Sequence, residues 1–191
     1  AALLTHQLLE VATRQGSEPQ LVSWNDVITG CEALLRTLLG ENISLETQLA
    51  PNLGHVKLVL THMQQVVLNL VLNARDAMPE GGRIRVRTRN AAARHPAPHQ
   101  PGSRRGQSVR RMVELSIADT GKGMPEQVLE PSSRPFFSTK GAGHGLGLSI
   151  VQRIVSEAGG KLGLRREPGG GCRSRGSTRH EKPMMDASTT T

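Results

Sequence analysis

Aromatic residues are almost missing: one Trp, two Phe and no Tyr make up 2% of the 191 residues. Neither a stacking platform for single-stranded nucleic acid nor an aromatic carbohydrate surface can be built from so few rings, and any core must be aliphatic. Cysteine is equally scarce. Cys31 and Cys172 stand far apart without paired histidine spacing, which excludes a disulfide framework and a zinc site of the usual spacing. No apolar run approaches the roughly 18 residues that a membrane span requires, and no basic-then-apolar leader opens the sequence, so a cytoplasmic location is expected. Acidic residues are outnumbered, with 16 Asp and Glu against 24 Lys and Arg and a net charge of +8. That excess suits polyphosphates, nucleic acid or acidic proteins and does not choose among them.

The hydrophobic share of 36% and the 21 glycines are ordinary for one compact domain. Leu4, Leu8, Val11 and Ala12 share a helical face in residues 1–15, which read as the tail of a longer helix. After the turn signal Gly16-Ser17-Glu18-Pro19 comes the short apolar piece Leu21-Val22. Asn25-Asp26 can cap a helix that runs through Ile28, Leu34, Leu35 and Leu38 to Gly40. Ile43, Leu45, Thr47 and Leu49 alternate as a strand, and residues 56–78 read as a helix buried on more than one side. Ile84, Val86 and Thr88 alternate with Arg83, Arg85, Arg87 and Arg89, predicting a strand with a basic outer face. Residues 91–108 read as a flexible excursion. A strand through Val113, Leu115 and Ile117 ends at Asp119, residues 131–144 form a second long loop, and residues 146–158 have helical spacing with Gly159-Gly160 as cap. A short strand over 161–165 follows, and disorder is expected from about Gly169.

Three constellations carry chemistry. Gln65, Asn69, Asn73 and Asp76 fall on one face of the apolar helix at spacings of four, four and three. Buried amides without partners cost on the order of 1 to 3 kcal/mol, so such a stripe calls for a hydrated cation, a ligand or neighbouring backbone to bond. Asp119, followed by Gly121 and Gly123, ends a strand in a turn where a carboxylate can accept from a flat ligand such as an adenine amino group; a plain turn is the simpler alternative. The run Gly141-Ala142-Gly143-His144-Gly145-Leu146-Gly147-Leu148 enters a helix, where amides and the helix end can hold phosphate oxygens, or it can serve as a hinge. It is neither a Walker loop nor the dinucleotide fingerprint.

In this order the motifs resemble those of one family, the ATP-binding catalytic domain of sensor histidine kinases. Asn69-Leu70-Val71-Leu72-Asn73-Ala74-Arg75-Asp76-Ala77-Met78 is similar to its N box, and Asp119-Thr120-Gly121-Lys122-Gly123-Met124 to its G1 box. Arg134-Pro135-Phe136-Phe137-Ser138-Thr139-Lys140 is similar to the F box, and residues 143–151 to the G2 box. The resemblance implies an α+β fold: the two-layer Bergerat sandwich, with a mixed sheet covered on one face by helices and a long ATP lid. It implies ATP and Mg2+ as cofactors. Asn73 would coordinate the metal, with Asn69 in support, and Asp119 would bond the adenine amino group. Gly121 and Gly123 would shape the base pocket, with Asp76 beside it, and Gly143, Gly145, Leu146, Gly147 and Leu148 would line the phosphates. Thr139 and Lys140 belong to the lid, where Lys140 would neutralise phosphate charge. Residues 1–18 would be the end of a dimerisation and phosphoacceptor helix with its linker, residues 19–168 the ATPase domain, and residues 169–191 a disordered tail.

The chain also departs from that family. The phosphoacceptor motif is missing, since His6 is followed by Gln7, so a histidine elsewhere would take the γ-phosphoryl group, with a response regulator as onward partner. Val59-Leu60 replaces a common Asp-Pro pair, Gln64 replaces a Glu that could accept a proton, and Ser132-Ser133-Arg134 interrupts the usual Glu-Pro-Phe-Phe run. In place of a closing apolar strand, residues 171–178 offer no apolar alternation. These departures leave a regulatory nucleotide-binding module without kinase activity as the alternative. A third reading, a basic nucleic-acid binder built on the arginine strand and the Arg104-Arg105 and Arg110-Arg111 loop, lacks a reading helix or aromatic platform, and nucleic acid is not the expected partner. The fragment is expected to be mostly monomeric, and a longer protein dimeric.

Overall fold

The computed structural model describes residues 18–96, 107–123, 146–167 and 170–181. Ten elements follow one another: β1 (Gln20–Val22), α1 (Trp24–Leu39), β2 (Ile43–Gln48), β3 (Val56–Leu58), α2 (Leu60–Asp76), β4 (Gly82–Pro96), β5 (Gln107–Asp119), α3 (Leu146–Glu157), β6 (Lys161–Arg166) and β7 (Cys172–Arg179). Five strands make one sheet in the order β2-β4-β5-β7-β6, and β1 pairs with β3 separately. The β2–β4 contact is parallel and the other contacts are antiparallel, so the sheet is mixed. This is the expected α+β sandwich. Trp24, Ile28 and Leu35 of α1, Met63, Val67 and Val71 of α2, and Val151, Ile154 and Val155 of α3 share one core with Ile84, Val86, Val113, Leu115 and Ile117 of the sheet.

Local chemistry explains most boundaries. Ser23 caps α1 by accepting from the Asn25 N–H at 3.2 Å. The expected caps, Asn25 and Asp26, lie inside the first turn, and the Asn25 amide instead donates to the Ala50 carbonyl and accepts from the Thr88 hydroxyl. Gly40 ends the helix in the left-handed region, φ 69°. The buried helix α2 starts at Leu60 rather than at residue 56, because Val56, Lys57 and Leu58 pair with Val22, Leu21 and Gln20. Its N-cap, Val59, makes no side-chain hydrogen bond.

Two expectations of irregular chain are corrected. β4 continues through residues 91–96 and β5 already begins at residue 107, the two paired antiparallel, with Ala91, Ala92 and Ala93 opposite Met112, Arg111 and Arg110. Residues 97–106 lie outside the described residues. β7 forms where a disordered tail was expected, between β5 and β6. Its inward residues are Cys172, Ser174, Gly176 and Thr178, all buried though none is a large hydrophobe. Small side chains suffice because the helices come down to meet them. A Cβ built on Gly176 would lie 3.6 Å from a Val155 methyl, and the Trp24 indole sits against Thr178. Residues 1–17 and 182–191 lie outside the described residues, as do the readings made of them.

Candidate functional site

The polar face of α2 meets the start of α3. Asn69 is buried in an otherwise aliphatic stretch, and its side-chain Nδ2 has no hydrogen-bond partner among the described residues. An unpaired buried amide is costly and marks a place where an acceptor is wanted. Gly147, in the first turn of α3, lies directly over it: a Cβ at Gly147 would approach the Asn69 Oδ1 at 3.6 Å. Asn73, one turn on, and Asp76, at the end of α2, are half-buried. Asp76 is ion-paired with Arg75 at 3.2 Å, and Arg75 also donates to the Leu38 carbonyl.

Asp119 closes β5 beside the C-terminal end of the same helix. Its carboxylate is buried and accepts the Gly121 N–H at 2.9 Å and the Cys172 N–H at 3.2 Å. Burial pushes the Asp119 carboxyl above its ordinary value, the two amides pull it back, and Glu167 adds to the upward push. The turn after it rests on the end of α2. Lys122 N–H donates to the Ala77 carbonyl at 3.1 Å, and a Cβ at Gly121 would fall 2.5 Å from that same oxygen, so only glycine fits. Gly123 needs glycine twice over, with φ 73° and the Gly170 carbonyl 2.1 Å from where a Cβ would stand.

The structure therefore brings Asn69 together with Gly147, and Asp119 together with the Gly121–Gly123 turn beside the C-terminal end of α2. Leu148 is half-buried and packs against the core. Leu146 opens α3. Thr139, Lys140, Gly143 and Gly145 lie outside the described residues. Sequence reasoning missed the wall that Gly170, Gly171 and the Cys172 amide build behind Asp119; the signal was the glycine run Gly169-Gly170-Gly171, read as tail. Among the described residues no cluster of three or more His, Cys, Asp or Glu could hold a metal ion.

Comparison with known proteins agrees with this geometry. Residues 59–180 match the family of histidine kinase-, DNA gyrase B- and HSP90-like ATPases. The chain is 41% identical over 173 residues to the sensor kinase CckA of Brucella abortus, covering 90% of this chain and 18% of that protein. It is 34% identical over 167 residues to the sensor histidine kinase ZraS of Klebsiella oxytoca, covering 87% of this chain and 32% of that one. It thus spans a third or less of these relatives' length. Among solved structures, the catalytic domain of histidine kinase ThkA superposes with a TM-score of 0.61 at 26% identity, over 85% of this chain and 96% of that one. A mycobacterial sensor histidine kinase, MprB, gives 0.60 at 26% identity, over 87% of this chain and 99% of that one. The chain belongs to the histidine kinase-, DNA gyrase B- and HSP90-like ATPase family, as an ATPase catalytic domain of the sensor histidine kinase type.

Proposed function

We propose that this domain binds ATP with magnesium across α2 and presents the γ-phosphoryl group to a histidine not present in this chain. The observation that carries the reading is the pairing of a buried, pre-oriented carboxylate beside the C-terminal end of α2 with a buried amide near the middle of that helix, Asn69, whose Nδ2 has no partner among the described residues. Asp119, held by two backbone N–H groups, keeps acceptor capacity for the amino group of adenine. Gly121 and Gly123 keep the turn flat enough for a ring to lie against it. The Asn69 Nδ2 donor suits a phosphate oxygen or a bound water.

The donor set fits magnesium. Amide oxygens of Asn69 and Asn73 are hard ligands, and this ion is ordinarily held by few protein groups together with phosphates and waters. When bound, it would neutralise charge on the β- and γ-phosphates. Asn69 and Asn73 orient that end of the nucleotide. Gly147 brings the first amides of α3 and its positive helix end toward the same place, Gly143, Gly145 and Leu146 extend that cradle, and Lys140 with Thr139 closes it. Asp76 supports the base end, and Leu148 anchors α3 beneath it. No covalent nucleophile from this chain is required, since phosphoryl transfer is largely positioning and charge neutralisation.

The partners in this reading are a phosphoacceptor-histidine domain and a response regulator, in the cytoplasm; no helix among the described residues is long and apolar enough to cross a membrane. Residues 1–18 would link to the acceptor domain, and the ATPase body runs from residue 19 past the expected end at 168, because β7 (Cys172–Arg179) is a strand of its sheet. Incubation with radiolabelled ATP and a separately supplied phosphoacceptor domain tests it. Acid-labile, base-stable label on that domain is expected, and its absence with an ATP-bound chain would leave a regulatory module.

A further inference from the structure

The outward face of the sheet gathers cations that are scattered in sequence. Strand pairing puts the four arginines of β4, Arg173 and Arg175 of β7, and Lys161 and Arg165 of β6 on the face away from the helices. Among the described residues, three carboxylates pair with them: Glu46, Glu114 and, at the edge, Glu167. We propose that this face binds the phosphate backbone of double-stranded nucleic acid, independently of base sequence.

The register makes a grid. Arg87, Ser116 and Arg175 lie abreast on β4, β5 and β7, and Arg85, Ala118, Arg173 and Arg165 form the next rung. On these rungs β5 carries the small residues Ser116, which is buried, and Ala118, while Arg83, Arg87 and Arg89 of β4 are exposed. Neighbouring rungs are about 6.8 Å apart along the strands, and β4 and β7 about 9.6 Å apart across them. Glu46 holds Arg83 and Arg85 at 3.1 and 3.2 Å, and Glu114 holds Arg89 and Arg175 at 2.8 and 3.2 Å. These carboxylates fix guanidinium orientation while leaving most N–H donors free to meet an anion.

Several features select a duplex. Seven of the eight cations are arginine, whose planar fork matches phosphate oxygens where lysine offers a point charge. The exposed large hydrophobic residues, Leu21, Leu34, Leu60 and Val109, all lie off this face, so it lacks the apolar centre that a protein interface needs. Exposed aromatic rings are absent from the described residues, so single strands have nothing to stack on. A sheet twisting by about 20–25° between neighbours turns through about 80–100° over five strands, so a flat bilayer reaches only part of the grid while a rod can lie along it. Half of these cations come from β6 and β7, outside the arginine strand that the sequence displays.

The test is fluorescence anisotropy of the intact chain with a labelled DNA duplex of about two helical turns, in saturating Mg-ATP so that the nucleotide cleft is filled. The expected result is binding whose logarithm falls with log salt at a slope near −4, for about four neutralised phosphates, and which is the same for two unrelated sequences. Arg87→Glu with Arg175→Glu should weaken it at least tenfold while ATP binding is kept. Arg36→Glu with Arg153→Glu, on the helical side, should leave it unchanged. No binding at about 50 mM salt, displacement by polyglutamate as effective as by unlabelled duplex, equal weakening by the helical-side pair, or binding to anionic phospholipid vesicles without binding to duplex would each overturn the proposal. Asp119→Asn should bind duplex normally, so the outcome is independent of the nucleotide reading.

Discussion

The indole Nε1 of Trp24 donates to the hydroxyl of Thr178 at 3.3 Å, joining the first turn of α1 to β7 across 154 residues. Thr178 in turn donates to the Val113 carbonyl at 3.4 Å, so one hydroxyl ties a helix and two strands together. The only tryptophan of the chain therefore reports on the strand that also supplies the Cys172 amide to Asp119.

Thr178→Val keeps the shape and removes the acceptor, leaving a buried indole N–H unpaired. A loss of about 1–3 kcal/mol is expected. Urea unfolding followed by Trp24 fluorescence measures it, and an unchanged midpoint would show that the bond carries no net stability.

Val59→Asp should have the opposite sign. The N-terminus of α2 has neither a side-chain cap nor an acidic residue in its first turn. An aspartate there can accept an orphan N–H and face the positive helix end, for a gain of about 1 kcal/mol. Thermal unfolding should shift upward with ATP affinity unchanged. A downward shift would mean that the half-buried Val59 side chain matters more through packing than the cap does.

Asp119 links function to stability. Its native carboxyl lies above the ordinary value because it is buried. Ionising it therefore costs more in the folded than in the unfolded chain, so this residue detracts from stability above its native pKa. The penalty shrinks as pH falls through that value and is gone below about 3.8, the ordinary value. Asp119→Asn is expected to be as stable as the parent or more so at neutral pH, with the difference vanishing in acid, while ATP binding is lost. Paired urea titrations at pH 7 and pH 3.5 check the sign; a variant much weaker at pH 7 would contradict it.

The Cys172 thiol is buried and pushed up to about 12, first by burial and then by Asp119 and Glu167. Thiolate is the reactive form, so alkylation at neutral pH should be slow in the native chain and fast in urea. In a Cys31→Ala background, bound ATP should slow it further, since both β7 and Asp119 are then held. A native thiol reacting at the unfolded rate would mean that β7 is not docked.

Much of this was legible in the sequence because it is local. The periodicity of residues 146–158, the stop at Gly40, the alternation of β4 and the turn after Asp119 all follow from nearby residues. Ser23 was passed over as cap because Asn25 and Asp26 are equally good cap types, and only the fold shows that Asn25 is taken by Ala50 and Thr88. β7 was illegible for a deeper reason. Its inward residues are Cys, Ser, Gly and Thr, a pattern that looks unable to bury a face until Val155 and Trp24 are seen to supply the apolar surface from the helices. The same strand hid the second amide on Asp119 and two of the eight cations of the outer grid.

The most direct test of the central claim is calorimetric titration of ATP into the intact chain with and without magnesium, repeated on Asp119→Asn and Asn73→Ala. Magnesium-dependent binding that Asp119→Asn abolishes and Asn73→Ala strips of its metal dependence is the predicted result. A folded parent chain, with Trp24 fluorescence native, that takes up no ATP would contradict the account.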